Sequence, residues 1–129
     1  MPKKRTKSGH RRPITFVRFN SKQGKAKPVQ LKALLDSGGA GTLLTADAAK
    51  KLRLKKSNLK PVKWMTTTGA VTTQKTVKSQ LTLPELHADR VIEWDFHVAN
   101  SLGAHDMIIG RDMLAFLGVD IKFSSETVE

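Results

Sequence analysis

Hydrophobic positions recur with a period of two along most of this chain, and glycine and proline break the pattern into short pieces. After Pro13, Ile14-Thr15-Phe16-Val17-Arg18-Phe19 has strand composition, and the polar, lysine-rich stretch Asn20 to Pro28 suits a hairpin loop. Val29 to Leu35 is a second strand, with Val29, Leu31, Ala33 and Leu35 on one face. It runs into a glycine-rich turn, Asp36 to Gly41, before Thr42-Leu43-Leu44 resumes apolar character. Thr45 then fits the N-cap of a short helix, Ala46 to Leu52, with Asp47 in its first turn and lysines near its end. Pro61 to Pro84 reads as a long hairpin turning near Gly69. Val71, Thr73, Lys75, Val77, Ser79, Leu81 and Leu83 line one weakly apolar face, a composition that suits a mobile lid. Val91 to Ala99 alternates Ile92, Trp94, Phe96 and Val98 inward. Asp106 to Gly110 is a short apolar strand. Arg111 to Leu117 is a short helix closed by Gly118, and Val119, Ile121 and Phe123 form a last strand. The whole predicts a mainly β chain with two short helices, a small barrel or sandwich without internal repeats.

Composition narrows the picture. At 129 residues there is room for one ordinary domain, and a hydrophobic fraction of 39% favours stabilisation by a partner subunit. The absence of cysteine excludes disulfides, thiolate nucleophiles and cysteine-ligated metals, and is compatible with a reducing, cytoplasmic setting. No apolar run is long enough to span a bilayer, and the basic N-terminus lacks the apolar segment of a secretory signal, so no membrane role is expected.

The net charge of +12 points to an acidic partner: nucleic acid, an anionic surface or an acidic polypeptide segment. Residues 1–12 read as a basic disordered arm ahead of one domain spanning 13–129. Within the arm, nucleic-acid contact through residues 3–12 and simple disorder weigh about equally. The second basic cluster, Lys50, Lys51, Arg53, Lys55 and Lys56, reads as a solvated helix face. No aromatic residue interleaves either cluster, so no base-stacking platform is indicated.

The chemistry concentrates in Leu34-Leu35-Asp36-Ser37-Gly38. An aspartate directly after an apolar strand implies burial, and a buried carboxylate is costly without hydrogen-bond donors. Alone, this segment is no more than a polar turn. Far downstream, Ile108-Ile109-Gly110-Arg111-Asp112-Met113-Leu114 adds an apolar pair, a glycine and a helix.

Together with the hairpin between them, these segments resemble the retropepsins, specifically the protease of a long-terminal-repeat retrotransposon polyprotein. Ala33 to Gly38 is similar to the catalytic loop, Trp64 to Val77 to the flap, and Met107 to Leu114 to the second signature. Leu117 to Ser124 is similar to the segment that follows, and the resemblance spans roughly Ile14 to Val128. It implies a small closed barrel, a homodimer that brings two copies of Asp36 together, and an extended polypeptide substrate without metal or cofactor. Two carboxylates so close share a proton: one activates water, the other hydrogen-bonds the peptide carbonyl. The resemblance further implies loop support from Ser37 and Gly38, and substrate or flap contacts at Gly39, Ala40, Thr68, Gly69 and Ala70. Ile109, Gly110 and Arg111 would lie near the site, with Arg111 fixing the loop or the dimer. Asp112 is read as a helix N-terminal charge. Polyprotein processing in the cytoplasm, including within retroelement particles, is the implied setting.

The chain departs from the family at Gly39, where alanine or serine is usual, and at Ala40, where a polar residue commonly meets substrate or the helix arginine. Other chemistries fit less well. Gly38-Gly39-Ala40-Gly41-Thr42 lacks the lysine of a phosphate-binding loop. Leu35 stands where a serine-hydrolase elbow around Ser37 needs glycine. His10, His87, His97 and His105 lack metal-ligand spacing. The alternative from another class is a catalytically silent retropepsin-like module for dimerisation or binding, with the arm attracting nucleic acid.

Overall fold

The protein is described by a computed structural model over residues 13–20, 28–67 and 69–119. Strands β1 (Ile14–Asn20), β2 (Val29–Leu35), β3 (Leu43–Thr45), β4 (Lys56–Thr66), β5 (Gly69–Leu83), β6 (His87–Ala99) and β7 (Met107–Ile109) are joined by helices α1 (Ala46–Lys51) and α2 (Arg111–Leu117). The strand order is β1-β2-β7-β3-β6-β5-β4, and β1 also pairs with β5. That extra pairing, Arg18↔Thr82 to Asn20↔Gln80, closes six strands into a barrel and leaves β4 outside as the free arm of the β4–β5 hairpin. β5 can serve both structures because its 15 residues extend about 50 Å: one end carries β4 and the other end closes the barrel.

Alternation decides what is buried. Val17 and Phe19 of β1, Val77, Leu81 and Leu83 of β5, and Ile92 and Phe96 of β6 meet Met107, Ile109, Met113 and Leu117 in the barrel core. Phe19 and Phe96 pack as tilted rings with centroids 5.6 Å apart. A second, smaller cluster of Leu34, Leu43, Ala99, Leu102 and Ile108 lies under Trp64 and Val71 of the hairpin. β7, the Leu43–Leu44 step of β3 and the end of β2 (Ala33 to Leu35) are apolar on both faces because each face serves one of these clusters, as expected of strands covered on two sides.

The expected elements through the second helix are present with shifted edges. β4 starts at Lys56 rather than Pro61. The proline is accommodated because the β4–β5 register shifts between Asn58 and Val62, where a strand residue needs no ladder donor. β6 starts at His87 rather than Val91, carried by pairing with β5. Lys75, expected on the weakly apolar face, is exposed. Thr45 caps α1 through Ala48 N→Thr45 Oγ1 (3.1 Å), and Gly118 closes α2 in the left-handed region. The basic arm and the end of the expected last strand lie outside the described residues; Val119 donates its N–H to Leu114 O.

β2 and β7 run parallel in the register Leu35↔Ile109, so both end at one level. The turn after β2 and the start of α2 therefore emerge side by side, and they build the site.

Candidate active site

Asp36 follows the last residue of β2, and its N–H is held by Ile109 O of β7 (2.8 Å). The carboxylate is only 2% exposed. Its Oδ1 accepts from Gly38 N (3.0 Å) and its Oδ2 from Thr67 N at the hairpin tip (3.1 Å). Backbone donors on both oxygens are what a buried carboxylate needs to offset its desolvation. Gly39 N closes the turn on Asp36 O (3.2 Å). A Cβ at Gly39 would stand 2.9 Å from Asp36 Oδ2, so glycine suits this carboxylate position.

The turn is stitched to α2. A helix leaves its first N–H groups without internal partners. Here Arg111 N donates to Gly39 O (2.8 Å), Asp112 N to Ala40 O (3.3 Å), and Met113 N to its neighbour's carboxylate at Asp112 Oδ1 (2.7 Å). The Arg111 guanidinium donates to Ser37 O (3.3 Å) and Gly38 O (3.2 Å). With alanine at position 40, backbone carbonyls of the loop are the partners of Arg111.

A tie invisible to motif reading lies beneath. Thr42, fully buried, donates its hydroxyl to Asp112 Oδ1 (2.7 Å) and its N–H to Asp112 Oδ2 (3.3 Å), and Thr42 Oγ1 accepts from Gly110 N (3.1 Å). Asp112 is therefore a helix N-terminal charge, as expected, and also the anchor of the loop. The available signal was a threonine closing the glycine run and an aspartate two residues after Gly110; the tertiary pairing that joins them was not legible. Gly110 has to be glycine, because a Cβ there would lie 2.3 Å from Gly41 O.

The described hairpin residue that meets the loop is Thr67, which the sequence did not single out. Gly69 (φ 117°) and Ala70 are exposed, a Cβ built on Gly69 would meet nothing within 4 Å, and Thr68 lies outside the described residues. Thr67 makes the contact with Asp36 instead, and Thr66 Oγ1 braces the turn on Gly69 O (2.8 Å). Farther down, the Trp64 ring occupies the space above Gly41, where a Cβ would come within 2.3 Å of it. Trp64 Nε1 donates to Thr73 Oγ1 (2.9 Å), and its ring packs on His97 with centroids 4.7 Å apart. The occupied Thr73 hydroxyl has its hydrogen left for His97 Nδ1 (3.5 Å), which favours the tautomer protonated on Nε2. Burial lowers the pKa of His97 from its ordinary value, opposed by the charges of Asp112 and Asp95. His87 and His105 sit elsewhere, the former against Leu117 O (3.3 Å). Among the described residues no group of three or more His, Asp or Glu side chains could hold a metal ion, and no helix is long and apolar enough to cross a membrane.

A closed barrel, a buried aspartate in a glycine-rich turn, a helix stitched to that turn and a hairpin over it define an aspartic-protease fold. The aspartyl protease family model matches residues 17–120, and the chain belongs to that family. Its fold is similar to that of the EIAV protease complexed with the inhibitor HBY-793. The TM-score is 0.65 at 24% identity, over 88% of this chain and 95% of that one. It is also similar to the retroviral protease-like domain of Ddi1 from Leishmania major (TM-score 0.50, 20% identity, 86% of this chain and 81% of that one). No curated protein matches the sequence. The chain is a member of the family with a fold like that of a retroviral protease, the mainly β barrel and short helices that its sequence implied.

Proposed function

We propose that this chain is one half of a homodimeric aspartic endopeptidase that cleaves extended segments of a retroelement polyprotein, with Asp36 as its catalytic residue. The observation that carries the reading is the Asp36 carboxylate itself, buried among backbone donors in a loop pinned to α2 and covered by the hairpin. Peptide hydrolysis by carboxylates needs a pair, and Asp112, the nearby acidic side chain of the second signature, is committed to Thr42. A second copy of the chain supplies the missing partner through two-fold symmetry. The two Asp36 carboxylates then share one proton. The ionised one takes a proton from water, which attacks the peptide carbonyl. The protonated one hydrogen-bonds the carbonyl oxygen, and a proton passes to the leaving nitrogen as the C–N bond breaks.

In this reading Ser37 braces the paired loops, Gly38 and Gly39 keep the loop open to substrate backbone, and Arg111 holds the loop carbonyls in place. Ile109 and Gly110 form the seat of the loop. The hairpin, from Thr67 through Thr68, Gly69 and Ala70, closes over the substrate strand and pairs with it. Residues 3–12 supply a basic arm that attracts nucleic acid, and a cytoplasmic, particle-associated setting goes with the polyprotein substrate.

The test is cleavage of a mixed peptide library from acidic to neutral pH, with wild type beside Asp36→Asn. The wild type should cleave, with a rate rising more steeply than linearly in enzyme concentration at low concentration. Asp36→Asn should lose on the order of a thousandfold or more. A folded, dimeric wild type that cleaves nothing would instead make the chain a silent dimerisation or binding module.

A further inference from the structure

We infer that the hairpin is the chain's own inhibitor: in the single subunit, residues 64–67 occupy the substrate's place over Asp36, and Trp64 is the positioning residue that latches them there. The inference rests on reading Asp36 as catalytic.

Residues 64–67 run beside residues 38–41 in the opposite direction. Thr67 N–H is on Asp36 Oδ2, the Met65 carbonyl lies 3.5 Å from where a Gly39 Cβ would stand, and the Trp64 ring sits on Gly41. A substrate strand inserted between the loop and the hairpin needs about 4.8 Å of spacing on each side, roughly 10 Å between the flanking backbones. A direct hydrogen bond of 3.1 Å from the tip to the carboxylate leaves no such gap. The closure also conflicts with pairing. A second Asp36 must reach hydrogen-bond distance of the first, yet this carboxylate is 2% exposed and its Oδ2 is taken by the subunit's own tip.

The latch is built from side chains that the chemistry does not use. Trp64 is held by Thr73 Oγ1, stacks on His97 of β6 and packs against the small buried cluster that holds Leu34, Leu43 and Ile108. Gly41 makes room for the ring, since any side chain there would strike it. Opening the tip therefore means breaking the Thr67–Asp36 bond and lifting an indole from an apolar seat. Closed and competent states compete, so the apparent affinity for a second subunit or a peptide is reduced by the fraction of chains that are open.

Two substitutions loosen the closed state while leaving the Asp36 side chain itself in place. Thr67→Pro removes the capping N–H at a residue whose φ is outside the left-handed region. Gly41→Ala places a methyl group against the Trp64 ring. The chain carries two tryptophans, so Trp94→Phe leaves Trp64 as the sole reporter. Acrylamide quenching of Trp64 is read on dilute, monomeric protein, and the dimer dissociation constant by sedimentation.

Trp64 should be shielded in the parent and several-fold more quenchable in Gly41→Ala. Thr67→Pro should tighten dimerisation roughly a hundredfold, tenfold for the one charge-assisted hydrogen bond released in each of the two subunits. Quenching unchanged in Gly41→Ala, or dimerisation no tighter in Thr67→Pro, would overturn the latch. Neither readout uses cleavage, so an inactive chain would refute the proposed function while leaving the quenching to decide this one. Thermal unfolding of both variants identifies simple misfolding, and a folded Thr67→Val, which keeps the N–H, should behave as the parent.

Discussion

Single residues in this site are constrained mostly by what they must not carry. Gly110 and Gly41 each sit where a Cβ would collide, with Gly41 O and with the Trp64 ring respectively, and neither needs an unusual φ. His97 adds a pH dependence. Its pKa is lowered in the folded chain, chiefly by burial, so the folded state binds this proton less readily than the unfolded chain does. Stability from this residue is therefore fully present above the ordinary histidine range and falls as pH drops from that range toward the lowered value. The unfolding free energy of His97→Gln should lack this part of the slope. Denaturant midpoints between pH 7.5 and 5 for both proteins measure it, and identical slopes would remove His97 from the account. His97 was visible in the sequence only as a histidine on an alternating strand. Its partners Thr73 and Trp64 come from β5 and β4, and pairing three strands is a tertiary event.

At the scale of elements, the tie between the Asp36 loop and α2 carries the site. Thr42 gives both its hydroxyl and its N–H to Asp112 and takes the N–H of Gly110, all close to or within the interior. Thr42→Val keeps the shape but leaves the Gly110 N–H unpaired and takes one of its hydrogen bonds from Asp112, whose Oδ1 keeps the Met113 N–H. The expected loss is about 1–3 kcal/mol of stability, read from urea unfolding, with most of it recovered in Thr42→Ser. Valine as stable as threonine would mean that the loop is held by its backbone bonds alone. The flanking motifs were legible because each is local: an apolar strand into a glycine turn, and an apolar pair into a helix. Their connection was not, because Thr42 and Asp112 are 70 residues apart in sequence. The hairpin was likewise expected from its alternation and from Gly69, but the residue at its working tip, Thr67, has no sequence signature and is chosen by the register Thr66↔Gly69.

At the scale of the whole molecule, a barrel closed by one short pairing, β1 with β5, carries a small core and a net charge of +12. If the proposed homodimer is the folded form, mass action makes stability depend on concentration. A hundredfold rise in protein adds about 2.7 kcal/mol. For a dimer of this size that corresponds to a melting temperature higher by about 5–10 °C. Calorimetry at two concentrations checks it, and a midpoint that does not move would count against a dimer as the stable unit.

What the sequence by itself determined is the alphabet of this fold. Period-two alternation wrote the strands, Thr45 and Gly118 set the helix ends, and the order of Asp36-Ser37-Gly38, a hairpin and Ile108-Ile109-Gly110-Arg111 marked a retropepsin-like chain. These are local signals, fixed by the geometry of a few neighbouring residues. What only the tertiary structure decided is which of them touch: that β5 closes the barrel on β1, that Arg111 finds loop carbonyls, that Thr42 anchors Asp112, and that Thr67 reaches Asp36. Those contacts join segments about 30 to 75 residues apart, and their partners are selected by strand register and by the space that glycines leave open. Neither is written in any window of the chain.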